Sequence, residues 1–287
     1  DSVTVAAGTY VENINFRGRN IKVVGADRET TFIDGDSAKH VVWMNGNSLI
    51  KGFTIENGYA WPTEAGDSHG GGVVVNSGSA TLDNLIIENN TAAHGAGISS
   101  QSDIHVNNVI FRNNNGVYSG AGIEINSSAV VQNSLFYNNS GHDAIYSNSG
   151  QNFSVLINNV TVINNQNDGI SIGSSVNTII NNSIVTDNNG YQISHYAEEA
   201  GNLTIAYSNI ESGQTDIYDQ QSSLFLTWGS GNIDVDPMFV DTANGNYHLL
   251  ADSRLIDAGH PDSTDADGTI ADIGAYYYDQ AGQPVRV

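Results

Sequence analysis

The segment Asn84-Leu85-Ile86-Ile87-Glu88-Asn89 decides the fold, because its pattern of Asn, apolar, any residue, apolar, any residue, Asn returns along the chain. Looser copies follow at residues 108–113, 133–138, 159–164 and 182–187, the last of which ends in Asp. Their starts, counted from Asn84, are 24, 25, 26 and 23 residues apart, and an earlier copy at residues 52–57 begins with Gly. A fixed period of this length indicates a solenoid, in which each repeat buries its apolar face by stacking on its neighbours.

The repeat predicts an all-β, right-handed parallel β-helix with three short strands in each coil of about 23–27 residues. In the coil around Asn108 we expect strands at residues 98–100, 104–106 and 109–111. Alternate strand residues point inward, so equivalent positions should stack about 4.8 Å apart. Asn at the bends, such as Asn113 and Asn138, tolerates left-handed backbone angles and is expected to bond to the copies above and below. The inward columns are Leu82, Val106, Val131, Ile157 and Ile180, and Ile87, Phe111, Phe136, Val162 and Val185.

The whole chain, residues 1–287, is predicted to be a single domain. Residues 1–51 form N-terminal coils, residues 52–211 regular coils, and residues 212–287 an irregular C-terminal capping segment. The outward middle residues of the third strand form a mostly aliphatic stripe, which would favour aggregation if it were bare. Either the C-terminal segment folds back over this stripe or a partner covers it, and we favour the first. The stripe consists of Thr54, Ile86, Ile110, Leu135, Thr161 and Ile184.

Both ends of the chain carry motifs of a known family. Residues 7–14, Ala-Gly-Thr-Tyr-Val-Glu-Asn-Ile, and residues 31–35, Thr-Phe-Ile-Asp-Gly, resemble the opening coils of pectate-lyase-like β-helix proteins. The motifs at residues 236–241, 246–249, 255–259 and 272–276 resemble bacterial extracellular right-handed β-helix repeat proteins. The resemblance covers nearly the whole chain and implies a secreted or cell-surface protein of bacterial type. That family includes lyases, hydrolases, epimerases, binding modules and adhesins, so the fold does not decide the function.

The composition excludes several classes of partner. Nine Lys and Arg stand against 31 Asp and Glu, which gives a formal net charge of −22. A field of this sign repels nucleic acid and anionic membrane surfaces, so we expect neither as a partner. No stretch is long and apolar enough to insert into a membrane, and the absence of Cys excludes disulfides and thiolate metal sites. No signal peptide is visible, which predicts a mature or trimmed form.

The loops that join the third strand of one coil to the first strand of the next carry most of the candidate site residues. His69 and His94 occupy the same slot one coil apart, and Tyr118 and His142 lie close to the continuation of that column. In each copy of the repeat, the residue before the second Asn is expected to border the same edge of the solenoid as these histidines. These residues are Glu56, Glu88, Arg112 and Tyr137. We therefore predict catalytic residues His69, His94, Tyr118 and Arg112, and substrate-binding residues Tyr59, Trp61, Glu88, Tyr137 and His142.

These residue types suit a polysaccharide lyase that acts by β-elimination on a uronate. Such an enzyme neutralises the uronate carboxylate, removes the proton at C5 and protonates the leaving oxygen. Arg112 or a bound Ca²⁺ would do the first, a His the second and Tyr118 the third. Two alternatives stay open: carbohydrate binding without chemistry, and a structural or adhesive module in which Glu88 and Arg112 are a plain salt bridge. The motifs of polygalacturonase-like hydrolases and alginate epimerases are absent from the sequence.

A separate acidic cluster lies near the C-terminus. Asp262, Asp265, Asp267 and Asp272 surround a glycine turn at Gly268. Closely spaced carboxylates repel one another unless a cation intervenes, and hard oxygen ligands suit calcium. We therefore predict a Ca²⁺ site, structural or substrate-bridging, with a solvated acidic loop as the alternative.

Overall fold

The computed structural model describes residues 1–61, 68–148 and 153–281. The first coils contain strands β1 (Ser2–Val5), β2 (Gly8–Val11), β3 (Ile14–Asn15), β4 (Lys22–Gly25), β5 (Thr31–Asp34), β6 (Val42–Asn45), β7 (Ser48–Lys51), β8 (Thr54–Glu56) and β9 (Tyr59–Ala60). The central coils contain β10 (Val73–Ser77), β11 (Ala80–Glu88), β12 (Thr91–His94), β13 (Ile98–Ser100), β14 (Ile104–Arg112), β15 (Asn115–Ser119), β16 (Ile123–Ile125), β17 (Ala129–Tyr137), β18 (Ile145–Ser147), β19 (Ser154–Ile163), β20 (Ile170–Ser171), β21 (Asn177–Asn181), β22 (Ile184–Thr186), β23 (Ile193–His195), β24 (Gly201–Ala206) and β25 (Asn209–Ile210). The C-terminal part contains β26 (Ile217–Asp219), β27 (Leu224–Trp228), β28 (Phe239–Asp241) and β29 (Asn246–Leu249), with short 3-10 helices at Gly213–Asp216 and Thr242–Asn244.

Parallel pairing between successive coils builds three sheets, which confirms the predicted β-helix. The first sheet follows the order β1-β4-β7-β11-β14-β17-β19-β21-β24-β27, with short strands beside it. The second sheet runs β26-β23-β20-β18-β16-β13-β10-β6-β3. The third sheet, β15-β12-β9, lies in segments that the sequence analysis treated as loops. An antiparallel pair, β28 and β29, belongs to the C-terminal segment. None of the helices in the described ranges is long and apolar enough to cross a membrane.

The predicted inward columns form the core. Leu82, Val106 and Val131 pair in register and are fully buried, and the column continues through Ile157 and Ile180. In the second column the rings of Phe111 and Phe136 stack with centroids 4.3 Å apart. Burying each such side chain stabilises the fold by roughly 1.5–3 kcal/mol.

Asn residues bend the chain inside the long strands. Asn108 adopts a left-handed angle, φ 53°, in the middle of β14, and Asn113 after this strand does the same with φ 55°. Equivalent residues in the neighbouring coils share this conformation. A single left-handed residue turns the strand through a corner, and Asn accepts the angle more readily than most residues. The predicted second and third strands are therefore one bent strand in β11, β14, β17 and β19, while the later coils keep them separate as β21 and β22 and as β24 and β25.

The buried Asn ladder lies one residue beyond the predicted position. Asn113 and Asn138 are exposed, whereas the next residues, Asn114 and Asn139, are fully buried. The side-chain amide of Asn114 donates to the backbone carbonyl of Ile87, one coil back, at 2.8 Å. It also donates to the side-chain oxygen of Asn139, one coil ahead, at 3.1 Å. The prediction that Asn113 and Asn138 form the ladder was wrong, because a left-handed residue turns its own side chain outward and the next side chain inward. The full ladder is Asn90, Asn114, Asn139, Asn165 and Asn188.

The C-terminal segment covers the aliphatic stripe from Ile110 to Ile184, as favoured above. Leu135 packs with Tyr247, and Ile184 packs with Leu249, Leu255 and Ile273. Hydrogen bonds fix the contact: the backbone N–H of Ala275 donates to the hydroxyl of Thr161 at 3.0 Å, and that of Gly274 donates to the carbonyl of Asn182 at 2.8 Å. The chain itself therefore removes the stripe from solvent.

Candidate active site

Two stacked histidines begin the candidate site. His69 forms a parallel bridge with His94 of β12, and their rings stack with centroids 4.8 Å apart. Both Nδ1 atoms face the buried carboxylate of Glu124, at 3.5 Å from His69 and 3.8 Å from His94. The prediction that His69 and His94 share one slot in adjacent coils is confirmed, and the structure adds an acidic partner that joins them.

Glu124 is held by a set of donors under the histidines. It projects from the outward face of β16 and is only 3% exposed. The hydroxyls of Ser99 and Ser119 each donate to one of its carboxylate oxygens at 2.8 Å. Burial alone would raise the pKa of Glu124, but the hydrogen bonds from one histidine and two serines outweigh it and lower the pKa below its ordinary value. Glu124 is therefore an anion that orients the groups above it.

The hydrogen bonds of His94 suit a general base. Its Nδ1 lies 2.9 Å from the Ser119 oxygen, and the Ser119 hydroxyl already donates to Glu124. In the neutral ring Nδ1 therefore carries the proton, and Nε2, on the opposite edge, presents a lone pair. Burial lowers the pKa of His94, more than the nearby carboxylate raises it, so the ring is neutral near neutral pH.

Aromatic side chains extend the site outward. Tyr118 is 59% exposed, and its ring centroid lies 5.7 Å from that of His94 and 6.4 Å from that of Trp61. Tyr59, in β9 of the same third sheet, is also exposed. Residues 62–67, between Trp61 and His69, lie outside the described residues. His94, Tyr118 and Trp61 thus form one surface.

A second histidine–carboxylate pair lies further along the axis. The Nδ1 of His142 is 3.1 Å from the carboxylate of Asp143, which is 1% exposed. Burial alone would lower the pKa of His142. The hydrogen bond to Asp143 and the charge of that carboxylate outweigh the effect of burial and raise the pKa above its ordinary value. Asp168 occupies the Asp143 slot in the next coil, where it accepts hydrogen bonds from the Tyr196 hydroxyl at 3.0 Å and the Tyr191 backbone at 2.8 Å.

A groove of about 520 Å³ is lined by Tyr118, His142 and Asp143 and reaches Tyr196. Its floor includes the outward column of the second sheet, where Tyr146 is followed by the small residue Ser171. The small side chain of Ser171 leaves a trough between larger side chains, of the size that suits a bound ligand. Its walls include Tyr118, His142, Asn167 and Tyr196.

The structure separates Arg112 from the histidines. Arg112 ends β14, where Phe111 points into the core and Ile110 points outward to the C-terminal segment. Its guanidinium donates to Glu88 and, at 3.2 Å, to the Tyr137 hydroxyl, whose ring packs on Tyr247. Burial alone would lower the pKa of Arg112, but these hydrogen bonds raise it above its ordinary value. The residues predicted to share one edge therefore form two groups, and Arg112 and Glu88 belong with Tyr137, which packs on the C-terminal segment.

The predicted calcium ligands act as acceptors for their own loop. Asp265 accepts the backbone N–H of Asp272 at 2.7 Å, and Asp272 accepts that of Tyr278 at 2.6 Å. Asp267 accepts the backbone and hydroxyl of Thr269, while Asp262 is exposed. Among the described residues no group of three or more carboxylates or histidines is arranged to hold a metal. The Ca²⁺ site stays a prediction, and no step of the chemistry is derived from it.

The predicted site residues do not include three buried acids, Glu124, Asp143 and Asp168. The histidines lie in the loops, where the column was predictable, whereas Glu124 lies on the outward face of the second sheet. A Glu between two inward isoleucines, Ile123-Glu124-Ile125, was the available signal. A charged residue at that position requires partners on the neighbouring coils.

The fold and the groove define a class of protein: a parallel β-solenoid whose side face carries acid–base groups and aromatic rings. The family model for the right-handed β-helix region matches residues 5–160, and the chain belongs to this family. No curated protein sequence matches the chain significantly.

Three solved structures show similarity to the chain. Pectin methylesterase from carrot aligns at 16% identity and a TM-score of 0.49, over 82% of this chain and 73% of that one. The A-module of the Azotobacter vinelandii mannuronan C-5 epimerase AlgE4 aligns at 14% identity and 0.46, over 87% and 77%. Pectate lyase Pel9A aligns at 16% identity and 0.37, over 96% and 87%.

Proposed function

We propose that this protein binds an acidic polysaccharide along the groove and cleaves it by β-elimination. The observation that carries the proposal is the neutral His94, oriented by Ser119 and Glu124, beside the exposed hydroxyl-bearing ring of Tyr118. A base and an acid side by side on an open groove are the parts that elimination from a polymer needs.

The roles follow from the protonation states. The His94 Nε2 takes the proton from C5 of a uronate, the electron pair forms the C4–C5 double bond, and the glycosidic C4–O bond breaks. The Tyr118 hydroxyl donates its proton to the departing oxygen. Both residues then exchange protons with solvent to return to their starting states. Glu124 stabilises the imidazolium that His94 becomes, as the buried acid does in histidine-based catalytic sites.

His142 is the cation best placed to meet the uronate carboxylate. It lines the groove together with Tyr118, and its raised pKa favours the charged form. This assignment replaces Arg112, whose donors are engaged by Glu88 and Tyr137 under the C-terminal segment. A polymer substrate is met outside the cell, so the proposal includes a secreted or cell-surface location.

A second candidate function is carbohydrate binding without cleavage. The observation that favours it is that both oxygens of Asp168 accept hydrogen bonds within the protein, from a backbone N–H and from the Tyr196 hydroxyl. A carboxylate held in this way stiffens the groove and is not placed to transfer a proton. In this reading the histidine stack is a binding surface.

The test is incubation of the protein with a panel of uronate polysaccharides while the ultraviolet absorbance of the unsaturated product is followed. We expect product with the wild type, and a loss of at least about a hundredfold in the rate for His94→Ala, because general bases contribute about 10²–10⁴-fold. Arg112→Met is the matched control and should retain the rate. Binding without product would favour the second candidate, and a loss in Arg112→Met equal to that in His94→Ala would overturn the assignment of the site.

A further inference from the structure

Three tyrosines cluster at the C-terminal end of the groove. The rings of Tyr191 and Tyr218 stack with centroids 4.4 Å apart and an angle of 8° between their planes. Tyr196 leans on Tyr218 with centroids 5.3 Å apart. Tyr191 is 38% exposed and Tyr196 is 46% exposed, so a large aromatic surface faces solvent.

The positions of these rings are fixed by the solenoid. Tyr218 pairs in register with Ser194, so it occupies the same outward column as Ser171 and Tyr146. Ser171 lines the groove, whereas Ser194, between it and Tyr218 in this column, is fully buried. The hydrogen bond from the Tyr196 hydroxyl to buried Asp168 holds the Tyr196 ring in place. The surface is therefore built before any ligand arrives.

The cluster continues the proposed substrate groove. Tyr196 lines the groove together with Tyr118 and His142, and it also contacts Tyr218. Tyr118 precedes β16 and Tyr218 lies in β26, four coils further along the second sheet. At about 4.8 Å per coil the two ends are roughly 20 Å apart. That distance corresponds to several pyranose rings of an extended chain.

We propose that Tyr191, Tyr196 and Tyr218 form a distal subsite that binds a pyranose ring of the polysaccharide several units away from the ring at His94. The proposal rests on the proposed function and adds a requirement for long substrates. A flat aromatic face suits the apolar C–H face of a pyranose, while the tyrosine hydroxyls at its edge bond to sugar hydroxyls. Rigid tyrosines bind at a low cost in conformational entropy.

The experiment compares the binding of a uronate trisaccharide and a uronate hexasaccharide by titration calorimetry. Tyr191→Ala and Tyr218→Ala are each expected to weaken hexasaccharide binding at least about tenfold, the effect of losing an aromatic anchor. Trisaccharide binding at the His94 end should not change. Tyr191→Phe keeps the ring and should retain most of the affinity. Tyr277→Ala is the control, because Tyr277 is 40% exposed and lies in the C-terminal segment.

The outcomes separate this proposal from the proposed function. Equal hexasaccharide affinity in the wild type and in Tyr191→Ala would overturn the distal subsite and leave the proposed function standing. Failure of the wild type to bind either oligosaccharide would overturn both. Tyr191 is on the surface, so its variant keeps the test valid even if Tyr218→Ala fails to fold.

Discussion

At the residue scale, the buried Asn column joins each central coil to the next through side-chain hydrogen bonds. Asn139 accepts the backbone and side-chain N–H groups of Asn114, and its own amide donates to Phe111 and Asn165. Asn139→Ala strands several of these buried groups, so we expect it to lower the free energy of unfolding by about 1–3 kcal/mol for each group left unpaired. Urea denaturation measures the change.

The exposed neighbour provides the control for the Asn ladder. Asn138 adopts φ 54° and contributes mainly its backbone angle, which Gly adopts without strain. Asn138→Gly should therefore have a much smaller effect than Asn139→Ala. Equal destabilisation by the two substitutions would contradict the ladder.

Asp272 gives the protein a pH dependence. Burial, aided by the charges of Asp265 and Asp257, raises its pKa from 3.8 to about 6, against hydrogen bonds that lower it. The folded state thus holds the proton more tightly than the unfolded state, so the stability that protonated Asp272 gives is complete below about pH 4 and is lost as the pH rises through about 6. We expect the melting temperature to fall across this window, and Asp272→Asn to flatten the fall. An unchanged slope in the variant would contradict the assignment.

The residues that the sequence could predict are those whose environment repeats. Leu82, Val106 and the rest of their column were predictable because each coil presents the same slot to the core. His69 and His94 were predictable for the same reason. Glu124 was not, because it occurs once, between isoleucines, and its partners Ser99 and Ser119 come from two different segments. Arg112 lies away from the histidines because strand alternation puts it on the same outward face as Ile110, next to the inward Phe111. The prediction of one shared edge did not take this alternation into account.

At the element scale, the C-terminal segment is held by apolar contacts with the third-strand face. Leu255 is fully buried against Ile184 and Ile273. Leu255→Ala removes this packing and leaves a cavity, at a cost of about 2–5 kcal/mol. We expect faster limited proteolysis of the segment and a lower melting temperature. Leu250→Ala, at a site 42% exposed, is the control and should behave like the wild type. Similar proteolysis of both variants would show that the segment does not depend on this contact.

Calcium is tested on the same segment. If Ca²⁺ binds among Asp262, Asp265, Asp267 and Asp272, chelator should lower the melting temperature, and Asp265→Asn with Asp267→Asn should abolish the response. Free Ca²⁺ at a hundred times its dissociation constant would stabilise the folded state by about 2.7 kcal/mol. Identical melting with and without chelator would exclude a stabilising site there.

Element types were predictable from the period, while their exact extents were not. The three strands expected around Asn108 are present, but the second and third are one bent strand, since a left-handed Asn turns the chain without ending its pairing. The short strands β9, β12 and β15 escaped prediction because none of them shows an alternating apolar pattern, and β9 has only two residues. Their pairing is what brings His69 onto His94.

At the scale of the whole molecule, charge and shape constrain the ligand together. The net charge of −22 repels an anionic polymer at long range, so binding has to come from contacts within the groove. The solenoid repeats its outward slots every coil, and a chain of sugar rings repeats on a similar length. An extended polymer aligned with the axis therefore meets the same kind of slot at each step.

The most direct measurement of the central claim is a crystal structure of His94→Asn soaked with a uronate hexasaccharide, because this variant should bind without cleaving. We expect sugar density beside the second sheet, from Trp61 and Tyr118 over Ser171 and Tyr196 to Tyr218. One uronate carboxylate should approach His142. Hexasaccharide seated on another face of the solenoid, or an empty groove at a saturating concentration of ligand, would contradict it.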